Sequence, residues 1–100
     1  MKIIKRSTIR FYIANYPKAE KQLKVWLNII KSENFNNFEE LRKVFPTADP
    51  VVCKEGKIRT VFNICGNHFR LITRISYKAK TVFIREFLPH NEYDKGRWKK

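Results

Sequence analysis

His90 and Tyr93 stand three residues apart, directly after an apolar run ending Phe87-Leu88-Pro89, and Arg70 lies in an earlier apolar run. Histidine is the side chain that titrates nearest neutrality, so it can accept or give a proton during a reaction. Tyrosine adds a phenol and arginine a planar cation. Together these types suit metal-free cleavage of RNA, in which the ribose 2′-hydroxyl attacks its own neighbouring phosphate. That step needs a base at the 2′-oxygen, an acid at the departing 5′-oxygen and cations around a more negative phosphorane. Lys57, just ahead of the first strand-like run, is a further cation for the task.

Other chemistries find less to work with. There is no glycine-rich phosphate loop, and Cys65 sits in an apolar run where a thiol reads as a small hydrophobe. Cys53, Cys65, His68 and His90 match no tight zinc spacing, so neither a metal nor a cofactor is expected. Glu92 and Asp94 form the only close acidic pair near a strand end. Each candidate also has a plain structural alternative. His90 could be a solvated or capping loop residue, Tyr93 an anchor for the C-terminal segment, Arg85 the partner of a carboxylate and His68 a turn residue. Lys99 and Lys100 read as a solvated end.

The charge pattern narrows the ligand. The chain carries a net charge of +13 on 100 residues, and from Gly56 to Arg85 it has seven cations and no acid. Such an excess opposes compaction, and solubility alone does not require it, so a polyanion is expected, foremost nucleic acid. Arg59, Arg74, Lys80 and Arg85 in that stretch, with Lys95 beyond it, are the RNA-binding candidates. The first residues lack the continuous apolar run of a signal peptide, and no segment approaches the roughly 20 apolar residues of a membrane span, so a cytoplasmic protein with reduced thiols is expected.

One domain, residues 1–100, must position these groups. Lys2 to Arg6 suits a strand. Ser7 can cap a helix whose apolar stripe is Ile9, Tyr12, Ile13 and Tyr16. Pro17 ends that helix or starts a second one, which has Leu23, Trp26, Leu27 and Ile30 on one face, and Lys18, Lys21, Lys24 and Lys31 on the other. Asn37 with Glu40 resembles a capping box for a short third helix that Pro46 to Pro50 stops. Residues 58–65, 68–77 and 81–88 follow as a three-stranded antiparallel meander, with turns at Gly66-Asn67 and Lys78-Ala79-Lys80. Phe69, Leu71, Thr73, Ile75 and Tyr77 share the helix-facing side of the middle strand, which exposes Arg70 and Arg74 on the other. The order is β-α-α-α-β-β-β, an α+β layer with the helices on one face of the sheet.

The segments FNICGNHFRLI (Phe62 to Ile72) and IREFLPHNEYD (Ile84 to Asp94) resemble the signature segments of the HigB family, and FNNFEELRKVFPTAD (Phe35 to Asp49) resembles its helix and proline turn. These are mRNA interferase toxins of bacterial type II toxin–antitoxin modules, with a RelE-like fold. Pro89 stands where relatives commonly have threonine. The resemblance implies ribosome-dependent cleavage of translated mRNA, held in check by a HigA-type antitoxin that supplies any contact with operator DNA. It carries over roles for Arg70, His90 and Tyr93, and less directly for Lys57 and Arg85. On this reading His90 is the general acid or base, Arg70 stabilises the phosphate and Tyr93 positions the nucleotide. Lys57, Arg74, Lys95 and the helix-face lysines would hold mRNA and ribosomal RNA. Two alternatives stay open on the same fold: a toxin that acts by binding alone, and an RNA- or ribosome-binding module.

Overall fold

The computed structural model describes residues 1–5 and 8–99, so Arg6, Ser7 and Lys100, with the cap, strand end and tail expected of them, lie outside the described residues. Five strands form one sheet in the order β1-β5-β4-β3-β2. β1 (Lys2–Ile4) runs parallel to β5 (Thr81–Pro89), while β2 (Asp49–Val52), β3 (Ile58–Ile64), β4 (Phe69–Ser76) and β5 pair antiparallel. The expected meander is therefore present and gains an edge strand on each side. Asp49–Val52 lies where the sequence reads as a helix stop. Pro50 weakened the strand signal there, and proline tolerates only such an edge position.

The helical layer comprises α1 (Thr8–Asn15), a 3-10 turn at Pro17–Ala19, α2 (Glu20–Ser32) and α3 (Phe38–Val44). At the start of α3 the Asn37 side chain accepts the Glu40 N–H at 2.9 Å. The Glu40 carboxylate reaches back one residue further than a capping box requires, accepting the Asn36 N–H at 3.0 Å, which holds its pKa below the usual carboxylate range. Leu23, Trp26 and Ile30 of α2 and Leu41 of α3 bury against Phe62, Ile64, Leu71 and Phe87 of the sheet. Trp26 and Phe62 meet edge to face at 5.4 Å, and Phe69 stacks on Phe87 at 5.2 Å. Buried side chains of this size stabilise by roughly 1.5–3 kcal/mol each.

The opposite face of the sheet is not bare. Cys53, Val61, Ile72 and Trp98 form a second, smaller apolar cluster there, flanked by Val51, Leu88 and Tyr93. A short fourth helix, α4 (His90–Asp94), leads the chain over this face, and the Trp98 indole N–H donates to the Tyr93 carbonyl at 2.9 Å. Cys65 lies in the turn after β3 with φ +55°, not within the strand, and its N–H donates to Gln22 Oε1 at 2.7 Å. No helix among the described residues is long and apolar enough to cross a membrane.

Candidate active site

Strand register brings the first group of candidates together. Arg70 pairs with Leu88 on one side and with Asn63 on the other, and Phe69 pairs with Pro89. His90 therefore follows within two residues of Arg70's strand partner, and its N–H donates to the His68 carbonyl at 2.9 Å. Arg70 is far less open than an uncovered sheet face implies, at 9 % exposed. Its Nη1 donates to the Phe69 carbonyl at 3.1 Å, its Nη2 to Asn67 Oδ1 at 3.4 Å, and its guanidinium sits 5.5 Å from the Tyr93 ring centroid. Three contacts thus fix one cation in place, and the Gly66-Asn67 turn supplies one of them.

Tyr93 has two neighbours of its own. Its ring stacks on Trp98 at 4.9 Å and 17°. Burial first, then the charge of Asp49, pushes its phenol above the ordinary tyrosine range, with the Arg70 cation pulling the other way. A phenol so placed stays protonated at neutral pH, where it can donate a hydrogen bond but cannot serve as a base. Arg70 and Tyr93 open on a polar cleft of about 370 Å³ that also involves Arg42, Thr47, Asp49 and Asn63. His90 is not part of that wall. It is exposed on α4, with Nε2 3.0 Å from Asp94 Oδ2 across one helical turn.

The remaining candidates lie elsewhere. Lys57, Arg59, Arg74 and Arg85 line another cleft on the same sheet face. Lys57 precedes β3 by one residue and Asn63 by six, which places it about 20 Å along the strand from the Arg70 level. Its Nζ lies 3.8 Å from Glu55. Arg74 covers the Phe83 ring at 4.0 Å. Arg85 is the extra residue of a β-bulge, since Glu86 pairs with Ile72 and Ile84 with Thr73, and it makes no ion pair among the described residues. Lys95 pairs with Glu92 at 3.0 Å and holds that carboxyl below its usual pKa range. Lys80 sits at the start of β5, the opposite end from His90, and its Nζ donates to the Phe35 carbonyl and Asn36 Oδ1 at 3.0 and 2.6 Å. Among the described residues no three His, Cys, Asp or Glu side chains converge.

Three contributors were missed by sequence reasoning. Asp94 and His90 are at i, i+4, a spacing that pairs side chains only if the segment coils, as it does in α4. Asn67 was read purely as a turn former. Arg42 of α3 reaches the cleft through tertiary packing, which leaves no local signal.

Comparison with known proteins assigns the chain to a family. The model of the HigB toxin family, a RelE-like toxic component of a toxin–antitoxin system, matches residues 19–96. The chain belongs to that family. It is 30 % identical over 94 residues to the mRNA interferase toxin HigB of Escherichia coli strain K12, covering 94 % of this chain and 88 % of that relative. The mRNA interferase HigB of Shigella flexneri matches with the same identity and coverage, and that of Escherichia coli O6:H1 is 30 % identical over 95 residues. Residues 19–96 take in α2 through α4, so Arg70, His90 and Tyr93 all fall inside the matched span.

Proposed function

We propose that this toxin is an endoribonuclease that cuts mRNA in the ribosomal A site by attack of the ribose 2′-hydroxyl, without a metal or other cofactor. The observation that carries the reading is the likeness to proteins named mRNA interferases along 94 % of the chain. Three groups support these roles. Arg70, already held by Asn67, Phe69 and Tyr93, offers a pre-oriented cation to the developing phosphorane, so little reorganisation is needed at the moment of reaction. His90 moves the proton. Its Nε2 faces Asp94, which leaves Nδ1 for transfer. Tyr93, kept protonated, donates to the nucleotide. Lys57, Arg59, Arg74, Arg85, Lys95 and Lys80 supply the positive surface that holds mRNA and ribosomal RNA.

The same reading places the protein in the cytoplasm with a HigA-type antitoxin as its partner, operator DNA being reached only through that antitoxin. The exposed Lys18, Lys21 and Lys24 patch offers an acidic antitoxin a seat away from His90. A toxin that blocks translation by binding alone is the second reading, favoured by the placement of His90 outside the Arg70–Tyr93 cleft wall.

A reconstituted translation reaction separates them. Purified toxin should cut a ribosome-bound mRNA at one A-site codon, and a single 2′-deoxy substitution at the cut nucleotide should abolish the product. Cleavage that survives the 2′-deoxy substitution contradicts the mechanism, and translation arrest without cleavage supports the binding-only reading.

A further inference from the structure

We propose that the cleft floored by Arg59 is a phosphate site that seats one backbone phosphodiester of the RNA strand other than the one that is cut. The choice of RNA as ligand rests on the reading above, while the site itself rests on Arg59. This side chain is 7 % exposed, and its Nη1 is buried with no hydrogen-bond partner among the described residues. Buried donors are rarely left unmade, and an arginine cannot escape the cost by losing its proton. An oxyanion resolves the deficit, because the guanidinium fork matches phosphate oxygens.

The surroundings favour the same ligand. Above Arg59 lies a cavity of about 320 Å³ whose walls include Lys5, Arg85, Arg97, Glu86 and Trp98. Four cations therefore face one carboxylate. The β-bulge makes Arg85 the unpaired residue of β5, beside Ile72 and Thr73, at the edge of this cavity.

Position fits a strand that continues from the reacting centre. Asn63, the register partner of Arg70, is four residues from Arg59 on β3 and on the same sheet face, about 13 Å at the usual strand rise. Trp98 packs over Val61 and Ile72 between the two levels. A strand with its scissile phosphate at Arg70 would pass Trp98 and set a phosphate further along, not the adjacent one, against Arg59. The cleft of Lys57 and Arg74, which shares Arg59 and Arg85, extends the path.

Two measurements on the full-length protein test this. The first titrates inorganic phosphate while following the Arg59 Nε–Hε resonance by NMR. The second measures anisotropy of a 2′-O-methyl oligoribonucleotide, in which no hydroxyl can attack, with one neutral methylphosphonate linkage walked along it. The Arg59 resonance should shift with phosphate. One linkage away from the reacting position should weaken binding on the order of tenfold. That effect should vanish in an Arg85→Ala/Arg97→Ala variant, whose salt slope falls by about 0.7 for each phosphate it no longer neutralises. Both replaced side chains are exposed, so this variant keeps its fold. A silent Arg59 with a flat linkage scan overturns the site, and a responsive Arg59 with a flat scan overturns RNA as its ligand. If both signals appear and the wild type cuts no mRNA, the phosphate site stands and only the enzymatic reading falls.

Discussion

Arg70 shows how far a single side chain can be read from sequence. Its strand, its face and its family motif were all visible, but its burial was not, because Trp98 and Tyr93 cover that face through contacts made across the fold. The difference alters the expected outcome of mutation. Arg70→Ala should lower cleavage by about a hundredfold, the usual loss for one preorganised charge. It should also cost about 1.5–3 kcal/mol of stability, since charged hydrogen bonds inside the protein disappear with it. Arg70→Lys keeps the charge without the fork, so it should recover stability better than rate; equal recovery of both in melting and cleavage assays would argue against a role at the phosphate. His90 gives the converse case. Exposed, with one exposed carboxylate as partner, it carries little of the fold. His90→Gln should leave the melting temperature nearly unchanged and reduce cleavage by about 10²- to 10⁴-fold. Asp94→Ala should fall in the same direction by a smaller factor, and an undiminished rate in either variant would remove the pair from the mechanism.

Among the elements, the amphipathic helices and the meander were readable because periods of 3.6 and 2 are written locally. The apolar stripe of α2 corresponds to its buried residues, whereas β4 is buried from Arg70 to Thr73 in succession, because Trp98 and its neighbours cover the face that alternation leaves open. β2 and α4 escaped notice for a shared reason. Four residues containing proline, or five polar ones after a proline, carry too little pattern, and each is held by tertiary contacts: β2 by pairing with β3, α4 by Tyr93 against Trp98. This makes the C-terminal segment the support of the site. Its backbone is also tied down where the Lys54 N–H donates to the Lys99 carbonyl at 3.3 Å. Trp98→Ala should therefore remove about 3 kcal/mol, as deletion of a buried aromatic does, and loosen α4 with it. Thermal unfolding would register the loss, and hydrogen exchange should localise the loosening to residues 90–99. Unchanged protection of α4 in that variant would mean that the helix needs no strap.

Taken whole, the molecule divides its charge between two faces. One holds Arg70, Arg59, Arg74 and Arg85 around the sheet, the other the lysines of α2. The second face has one internal counter-ion in view, Glu20 with Lys24 at 2.7 Å, an exposed pair worth little. Reversing the charge of Lys21 and Lys24 should weaken antitoxin binding and spare cleavage. Undiminished affinity in calorimetry would place the antitoxin over the sheet face instead. Both arrangements presuppose that the protein cuts mRNA, and the most direct measurement of that is to map transcript 5′ ends across a cell's RNA minutes after expression begins. New ends confined to translated regions, at a fixed position within codons and absent with His90→Gln, are the predicted result. Translation that stops with no new 5′ ends, or ends spread equally over untranslated RNA, would contradict it.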